Sequence, residues 1–257
     1  MKTISSRDNA QYKALKQLAT SSQARRKAGQ SVLDGVHLCQ AWLDLRGQPL
    51  ECVVSESSLA HPEVAPLLAR CDKVLMLPDA LYSALSQVEH GVGLLFVVPT
   101  PQGAAPAALS ENAVLLDGVQ DPGNLGSILR SAAAAGIRHV YCGPGTAAVW
   151  SPKVLRAAMG AHFVLDIVEQ VDLAALAAQA RIPVLATSGY AAQSLYETDL
   201  RGPAAWILGH EGQGVSDTLL NAASLRIKVP HLGQVESLNV AACAAVCFFE
   251  QMRQNLR

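Results

Sequence analysis

No stretch of about 18 consecutive uncharged apolar residues occurs in this chain, so no segment reads as a membrane span. The opening residues, MKTISSRDNAQYK, lack the apolar h-region of a secretory signal. Among the 6 cysteines, Cys39, Cys52, Cys71, Cys142, Cys243 and Cys247, there is no C-x-x-C pair. Cys243 and Cys247 fall in an apolar helical pattern. A zinc site or disulfide framework is therefore not expected; reduced, buried thiols in a cytoplasmic protein are. Internal repeats and low-complexity tracts are missing too. Net charge is nearly absent, at -1.

What is present is a chain of 257 residues, half of them apolar, enough for one large domain or two modest ones. Its charge is unevenly spread. Residues 1–30 carry Lys2, Arg7, Lys13, Lys16, Arg25, Arg26 and Lys27 against Asp8 alone. Such an arm suits a polyanion-binding protein, because phosphate contacts supply the sequence-independent part of affinity. A solvated helix face would look the same from charge alone.

Hydrophobic periodicity predicts a first helix over Arg7–Arg26 with Leu15 and Leu18 inward and its bases outward. Strands are expected at 31–33, 51–54, 73–77 and 93–98. Helices are expected at 37–45, after Pro62, and near 81–85. This alternation describes a small α/β domain over residues 1–98. The stretch 99–112, PTPQGAAPAALSEN, has almost no bulky side chain and reads as a linker. The second domain, 113–257, alternates more cleanly. Strands are expected at 114–116, 139–142, 164–167, 184–187, 204–208 and 225–229, with helices near 128–135, 152–159, 173–180 and 217–222. Apolar strands without strict alternation suit a parallel sheet covered on both faces, whose ligands bind beyond the strands' carboxyl ends.

Three polar clusters fall at such ends. In DGVQDPGNLGSILR, Asp121 and Pro122 make a helix start by themselves, but that does not account for Asn124, Gly126 and Arg130. An arginine in the Ala-rich helix ILRSAAAAG is costly to bury without an anion to hold. In LGHEGQGVS the glycines run G-x-x-G-x-G, not the dinucleotide order G-x-G-x-x-G, and no P-loop lysine follows. Gly209 allows a ligand to approach the backbone there, and Gly212 and Gly214 permit a tight turn around Glu211. The third cluster, VPHLGQVESLN, places Glu236, Ser237 and Asn239 at the entrance of a long apolar helix. Leu238, Ala242, Ala245, Phe249 and Met252 form one stripe of that helix, and Val240, Ala244 and Cys247 make the opposite side apolar. Ser237 or Asn239 either caps the helix or belongs to a ligand site at its N-terminus.

Taken together, N-x-G-x-x-x-R at 124–130, G-x-E-x-x-G at 209–214 and S-L-N at 237–239, with VPHLG ahead of the last, resemble the SpoU/TrmH family of RNA ribose 2′-O-methyltransferases in the SPOUT superfamily. The likeness covers nearly all of 112–252. The first domain resembles, more weakly and through GVHL near 35–38, a small ribosomal-protein-like RNA-binding domain. The resemblance implies a trefoil-knotted catalytic domain and S-adenosylmethionine as methyl donor, with no metal. It places Gly209, Val229 and Leu238 against the donor, mainly through backbone, with Thr187 as a further contact. It assigns Asn124, Arg130, Glu211, Ser237 and Asn239 to the catalytic set around the ribose hydroxyl and its phosphate. Lys13, Lys16, Arg25, Arg26 and Lys27 are then expected to bind RNA, ribosomal RNA ahead of transfer RNA.

The resemblance further implies a homodimer that packs the C-terminal helix, with Phe248 or Phe249 in the interface. The sequence departs from the family's habit at His231, Ala158 and Ala241, positions outside the catalytic set. His210 and His231 stand close to the expected site, as structural, solvated or catalytic groups. The competing expectations are a binding protein that has lost turnover and another nucleotide-dependent α/β enzyme. The intact polar set speaks against the first, and the glycine order against the second.

Overall fold

The computed structural model describes residues 1–88, 91–235 and 237–256. Its contacts divide the chain into two compact units, Met1–Pro101 with Trp150–Phe163, and Gln102–Val149 with Val164–Arg257.

The first unit runs β1 (Lys2–Thr3), α1 (Ala10–Thr20), α2 (Ser22–Ala28), β2 (Gln30–Asp34), α3 (Val36–Leu45), β3 (Glu51–Ser55), α4 (Ala65–Leu68), β4 (Val74–Leu77), α5 (Asp79–Ser83) and β5 (Leu94–Pro99). Its sheet has the order β1-β4-β3-β5-β2. Strand β5 is antiparallel to β2 and β3, while β4 is parallel to β1 and β3. Tyr12, Leu15 and Leu18 of α1 pack into a core with Val53, Leu75, Leu77 and Val97. The single helix expected over 7–26 is two helices. The Ser21 hydroxyl accepts a bond from the Ala24 amide and starts α2, while its own amide closes α1 on Gln17. Gly29 then ends α2 in the left-handed region at φ 61°, which favours glycine.

The second unit contains β6 (Ala113–Asp117), α6 (Pro122–Ala134), β7 (His139–Cys142), β8 (Asp166–Glu169), α8 (Leu173–Ala178), β9 (Val184–Thr187), β10 (Gln193–Ser194), β11 (Ala205–Gly209), α9 (Asp217–Ala222), β12 (Leu225–Lys228) and α10 (Val240–Asn255); α7 (Pro152–Ala158) lies in the first unit. The sheet order is β10-β12-β9-β11-β6-β7-β8, and every adjacent pair is parallel. Residues Ala113 to Leu116 and Ala205 to Leu208 are fully buried, as strands covered on both faces must be. Five of the six expected strands lie where expected, and the one expected at 164–167 is displaced to β8, Asp166–Glu169. β10 escaped notice because two residues carry no periodicity.

From β6 the chain moves through β7 to β8 at one edge. It then crosses to β9, on the other side of β6, with β11 between them. The direction of winding reverses at β6, which is where open parallel sheets place their ligands.

Helix α10 packs on α6 and β11, with Ala244, Cys247, Phe248 and Gln251 buried. The sequence showed apolar residues on both sides of this helix, and the buried side is the one with Ala244 and Cys247. Ala242 and Phe249 are exposed, Ala245 and Met252 half-buried, and Leu238 precedes the helix. Gln251 decides the orientation. Its amide oxygen accepts the Trp206 indole N–H at 2.7 Å, and its nitrogen donates to Asn112 Oδ1 and to the Gly202 carbonyl. A buried glutamine satisfied on both ends anchors the helix more specifically than apolar contact does.

The segment Trp150–Phe163 was expected within the second domain, but its contacts group it with the first unit. The Trp42 and Phe163 rings meet edge to face at 5.4 Å, and the Arg46 guanidinium donates to the Phe163 carbonyl at 3.0 Å. A local helix pattern says nothing about which sheet the helix covers.

Candidate functional site

Three loops leave the carboxyl ends of β6, β11 and β12 in the second unit. After β6, the Asp121 side chain caps α6 by accepting the Asn124 amide at 2.8 Å, with Pro122 in the first turn. Asp117, at the end of β6, accepts the Ser216 amide at 2.8 Å and so ties this loop to the one after β11.

The loop after β11 turns back on itself. His210 and Gly214 exchange two backbone hydrogen bonds of 3.0 and 2.8 Å, and Gly214 sits at φ +72°. A Cβ on Gly209 would stand 2.1–2.2 Å from the backbone of Gly214 and Val215. The glycine at 209 is thus required by the returning turn itself, whereas the sequence had suggested ligand approach. His210 Nδ1 accepts the Gly212 amide at 2.9 Å and the Gln213 amide at 3.3 Å. With Nδ1 as the acceptor of both amides, the His210 side chain holds the turn.

The turn aims Glu211 across the site. Its carboxylate accepts the Asp121 amide at 3.0 Å, the Gln120 amide at 3.2 Å and Asn124 Nδ2 at 3.1 Å. Asn124 Oδ1 in turn accepts Asn239 Nδ2 at 2.9 Å, and Asn239 Oδ1 caps α10 on the Ala241 and Ala242 amides. Asn239 therefore caps the helix and belongs to the site at once. One chain of hydrogen bonds, Asn239 to Asn124 to Glu211 to the 120–121 backbone, ties the three clusters together. Desolvation pushes the Glu211 carboxyl upward, but the Asn124, Asp121 and Gln120 donors together outweigh it and hold the group below its ordinary value. Glu211 is an ionised brace in this geometry.

Between these loops and the end of β9 lies a cavity of about 590 Å³. Thr187, Gly209, Val229 and Leu238 all line it, as do Ser237 and Asn239. Thr187 donates its hydroxyl to the Ile207 carbonyl at 3.2 Å, so it contributes wall and backbone to the cavity. His231 lines the rim, with Nδ1 3.2 Å from the Val229 carbonyl. Glu236 lies outside the described residues. Sequence reasoning passed over Ser188, Gly189, Tyr190 and Cys243, which also line the cavity. A Ser-Gly pair directly after a buried strand was the available signal for the first two.

Arg130 is exposed on α6 and is not among the lining residues. The burial penalty expected for it therefore does not arise. Among the described residues its guanidinium has no hydrogen-bond or ion-pair partner. Among the described residues, too, no three of His, Cys, Asp and Glu stand close enough to hold a metal ion.

In the first unit, Lys13, Lys16, Arg26 and Lys27 are exposed, and Lys13 pairs with Asp8 at 3.0 Å. Arg25 is a correction. It is only 8% exposed, and its guanidinium donates to the Leu18 carbonyl at 2.7 Å and the Ala19 carbonyl at 3.3 Å. The break at Ser21 turns Arg25 back onto the end of α1, where it satisfies free carbonyls; it is not available to RNA.

The sequence pattern of the SpoU rRNA Methylase family matches residues 111–249. The chain is 32% identical to the 23S rRNA (guanosine(2553)-2′-O)-methyltransferase RlmP of Bacillus subtilis strain 168, over 97% of this chain and 98% of that protein. An RNA methyltransferase of the TrmH family from Porphyromonas gingivalis superposes with a TM-score of 0.83 at 31% identity, covering 96% of this chain and 99% of that one. The SpoU methyltransferase AviRb from Streptomyces viridochromogenes, solved with AdoMet, shares the fold with a TM-score of 0.85 at 23% identity, over 96% and 98% of the two chains.

Proposed function

Because this chain belongs to the SpoU rRNA methylase family, we propose that it transfers a methyl group from S-adenosylmethionine to a ribose 2′-hydroxyl of ribosomal RNA. The observation that carries this reading is the hydrogen-bond chain from Asn239 through Asn124 to Glu211, which fixes three loops around one cavity. The cavity fits the donor. At about 590 Å³ it lies in the range of small-molecule sites, roughly 300–1,000 Å³. Val229 and Leu238 offer an apolar wall, and the loop after Gly209 offers backbone groups, as an adenosine with a charged tail requires.

The donor, when bound, supplies an electrophilic methyl on a sulfonium. The chain's own residues do the rest. Thr187, Gly209, Val229 and Leu238 hold the adenosine end, and Ser237 and Asn239 line the same cavity. Arg130 presents an unpaired guanidinium to the phosphate beside the target ribose, and its charge offsets the oxyanion that develops on O2′. A guanidinium keeps its proton in proteins, so Arg130 does not act as the base. The hydroxyl proton passes to phosphate or water. Asn124 and Glu211 act through position, keeping the loops in register so that hydroxyl and methyl meet in line.

The finer parts of the reading have their own support. Ribosomal RNA is preferred to transfer RNA on the strength of the RlmP likeness along the whole chain. A trefoil knot in the C-terminal segment fits the insertion of β9 between β12 and β11. It also fits the bonds that the Leu200 and Gly202 amides donate to Gln254 Oε1 and Asn255 Oδ1 of α10, which clamp the preceding loop. A homodimer fits the exposed apolar stripe of α10. A silent RNA-binding relative is disfavoured because every member of the polar set is present.

The test is to incubate the protein with methyl-labelled S-adenosylmethionine and ribosomal RNA from cells lacking the gene. Label should enter one alkali-resistant dinucleotide, the mark of a 2′-O-methyl group. Label in an alkali-sensitive nucleotide would place the methyl on a base and overturn the assignment.

A further inference from the structure

Aromatic side chains are scarce in this protein, and the structure buries most of them. All 3 tryptophans are buried, as are Tyr12, Tyr82 and Tyr141. The two remaining tyrosines, Tyr190 and Tyr196, are exposed, and both belong to the connection between β9 and β11. Tyr190 is 96% exposed, yet it lines the cavity described above.

The backbone beneath Tyr190 is held. The Ser188 amide donates to the Ile227 carbonyl at 2.9 Å, the Ser188 hydroxyl accepts the Tyr190 amide at 3.4 Å, and the Ala191 amide donates to the Ser188 carbonyl at 3.2 Å. Just beyond, β10 pairs with β12 and sets Ser194 beside Lys228. The Lys228 ammonium has no hydrogen-bond or ion-pair partner among the described residues. The loop is thus fastened to β12 on both sides of a tyrosine that stands almost wholly in solvent at the cavity mouth.

We propose that Tyr190 is a stacking platform for a nucleobase of the RNA, at or next to the methylated nucleotide. A ribose hydroxyl can reach a methyl group inside the cavity only if its nucleotide leaves the helical stack. An unstacked base regains its lost contacts on an aromatic face, whatever its sequence. The ring has both faces open, and the protein covers almost none of its surface. Lys228 on the adjoining strand supplies positive charge for the same strand's backbone. The proposal rests on the RNA methyltransferase reading and adds to it a residue that the three sequence clusters do not contain.

The test compares wild type, Tyr190→Ala and Tyr190→Phe, all as the full chain. Affinity for an unmodified 23S ribosomal RNA transcript is measured by filter binding, and affinity for S-adenosylmethionine by calorimetry. Tyr190→Ala should weaken RNA binding roughly 5- to 150-fold, the worth of one stacked base. Tyr190→Phe should stay within about twofold of wild type, since stacking needs only the ring. Affinity for S-adenosylmethionine should be unchanged in both. A parallel loss of donor affinity would make the ring a cover for the cofactor and overturn the proposal. Unaltered RNA binding by Tyr190→Ala would return it to solvent, and a Phe variant as weak as Ala would assign the effect to the hydroxyl. A wild type that binds no RNA would sink the methyltransferase reading itself, a result distinct from all of these.

Discussion

Arg130 and Glu211 show how differently two members of one polar set act. Arg130 is exposed and unpaired, so its removal should leave the fold and donor affinity intact while abolishing methyl transfer. Arg130→Lys should remain at least tenfold below wild type, because an ammonium cannot present a planar fork to a phosphate. Near-normal turnover of the lysine variant in a methyl-transfer assay would refute the clamp. Glu211, by contrast, is engaged on three sides by donors. Its folded-state pKa is depressed below the ordinary 4.5. The stabilisation it contributes is therefore fully present above that value and is lost as pH falls through the folded pKa. Glu211→Gln should be less stable than wild type at pH 7, with the gap closing in acid. Chemical denaturation at a series of pH values reads this directly, and a gap independent of pH would contradict the brace.

At the scale of elements, α1 and α2 separate two uses of basic residues that looked alike in the sequence. Lys16, Arg26 and Lys27 are exposed, while Arg25 closes the end of α1. Replacing Lys16, Arg26 and Lys27 by Ala should lower RNA affinity and reduce the slope of log affinity against log salt by about 0.7–0.9 per lost phosphate contact. An unchanged slope would make them a solvated face. Arg25→Ala should instead lower thermal stability, since the Leu18 carbonyl loses its donor, while the Ala19 carbonyl keeps Gln87 Nε2. Helix α10 divides in a similar way. Its buried row is set by Gln251 and Phe248, and the stripe of Ala242 and Phe249 is left outside.

For the whole molecule, that outer stripe is the surface on which the proposed dimer depends. Phe248 is 1% exposed and Phe249 41%, so only Phe249 is available to a partner. Phe249→Asp should give a folded monomer with reduced activity, whereas Phe248→Asp should fail to fold. Sedimentation equilibrium at micromolar concentration separates the outcomes. A wild type that is monomeric and fully active would end the dimer proposal.

The sequence by itself determined the elements of the second unit other than β10, and the three polar clusters. Strands buried on both faces write themselves as apolar runs, and loops at their ends keep Gly, Asn and Ser at short, recognisable spacings. It also carried Asp121 as a cap and narrowed the cap of α10 to Ser237 or Asn239, because capping is local chemistry; the structure chose Asn239. Tertiary structure alone decided the rest. The sheet order brought Thr187 beside Gly209 and Val229, and Gly209 proved to serve a returning backbone. Gln251 chose which face of α10 turned inward, and the break at Ser21 took Arg25 out of the basic arm. In each case the deciding partner lies far along the chain or behind a turn that periodicity does not register. Its contribution is a specific hydrogen bond or close approach, and hydrophobic pattern contains no record of either.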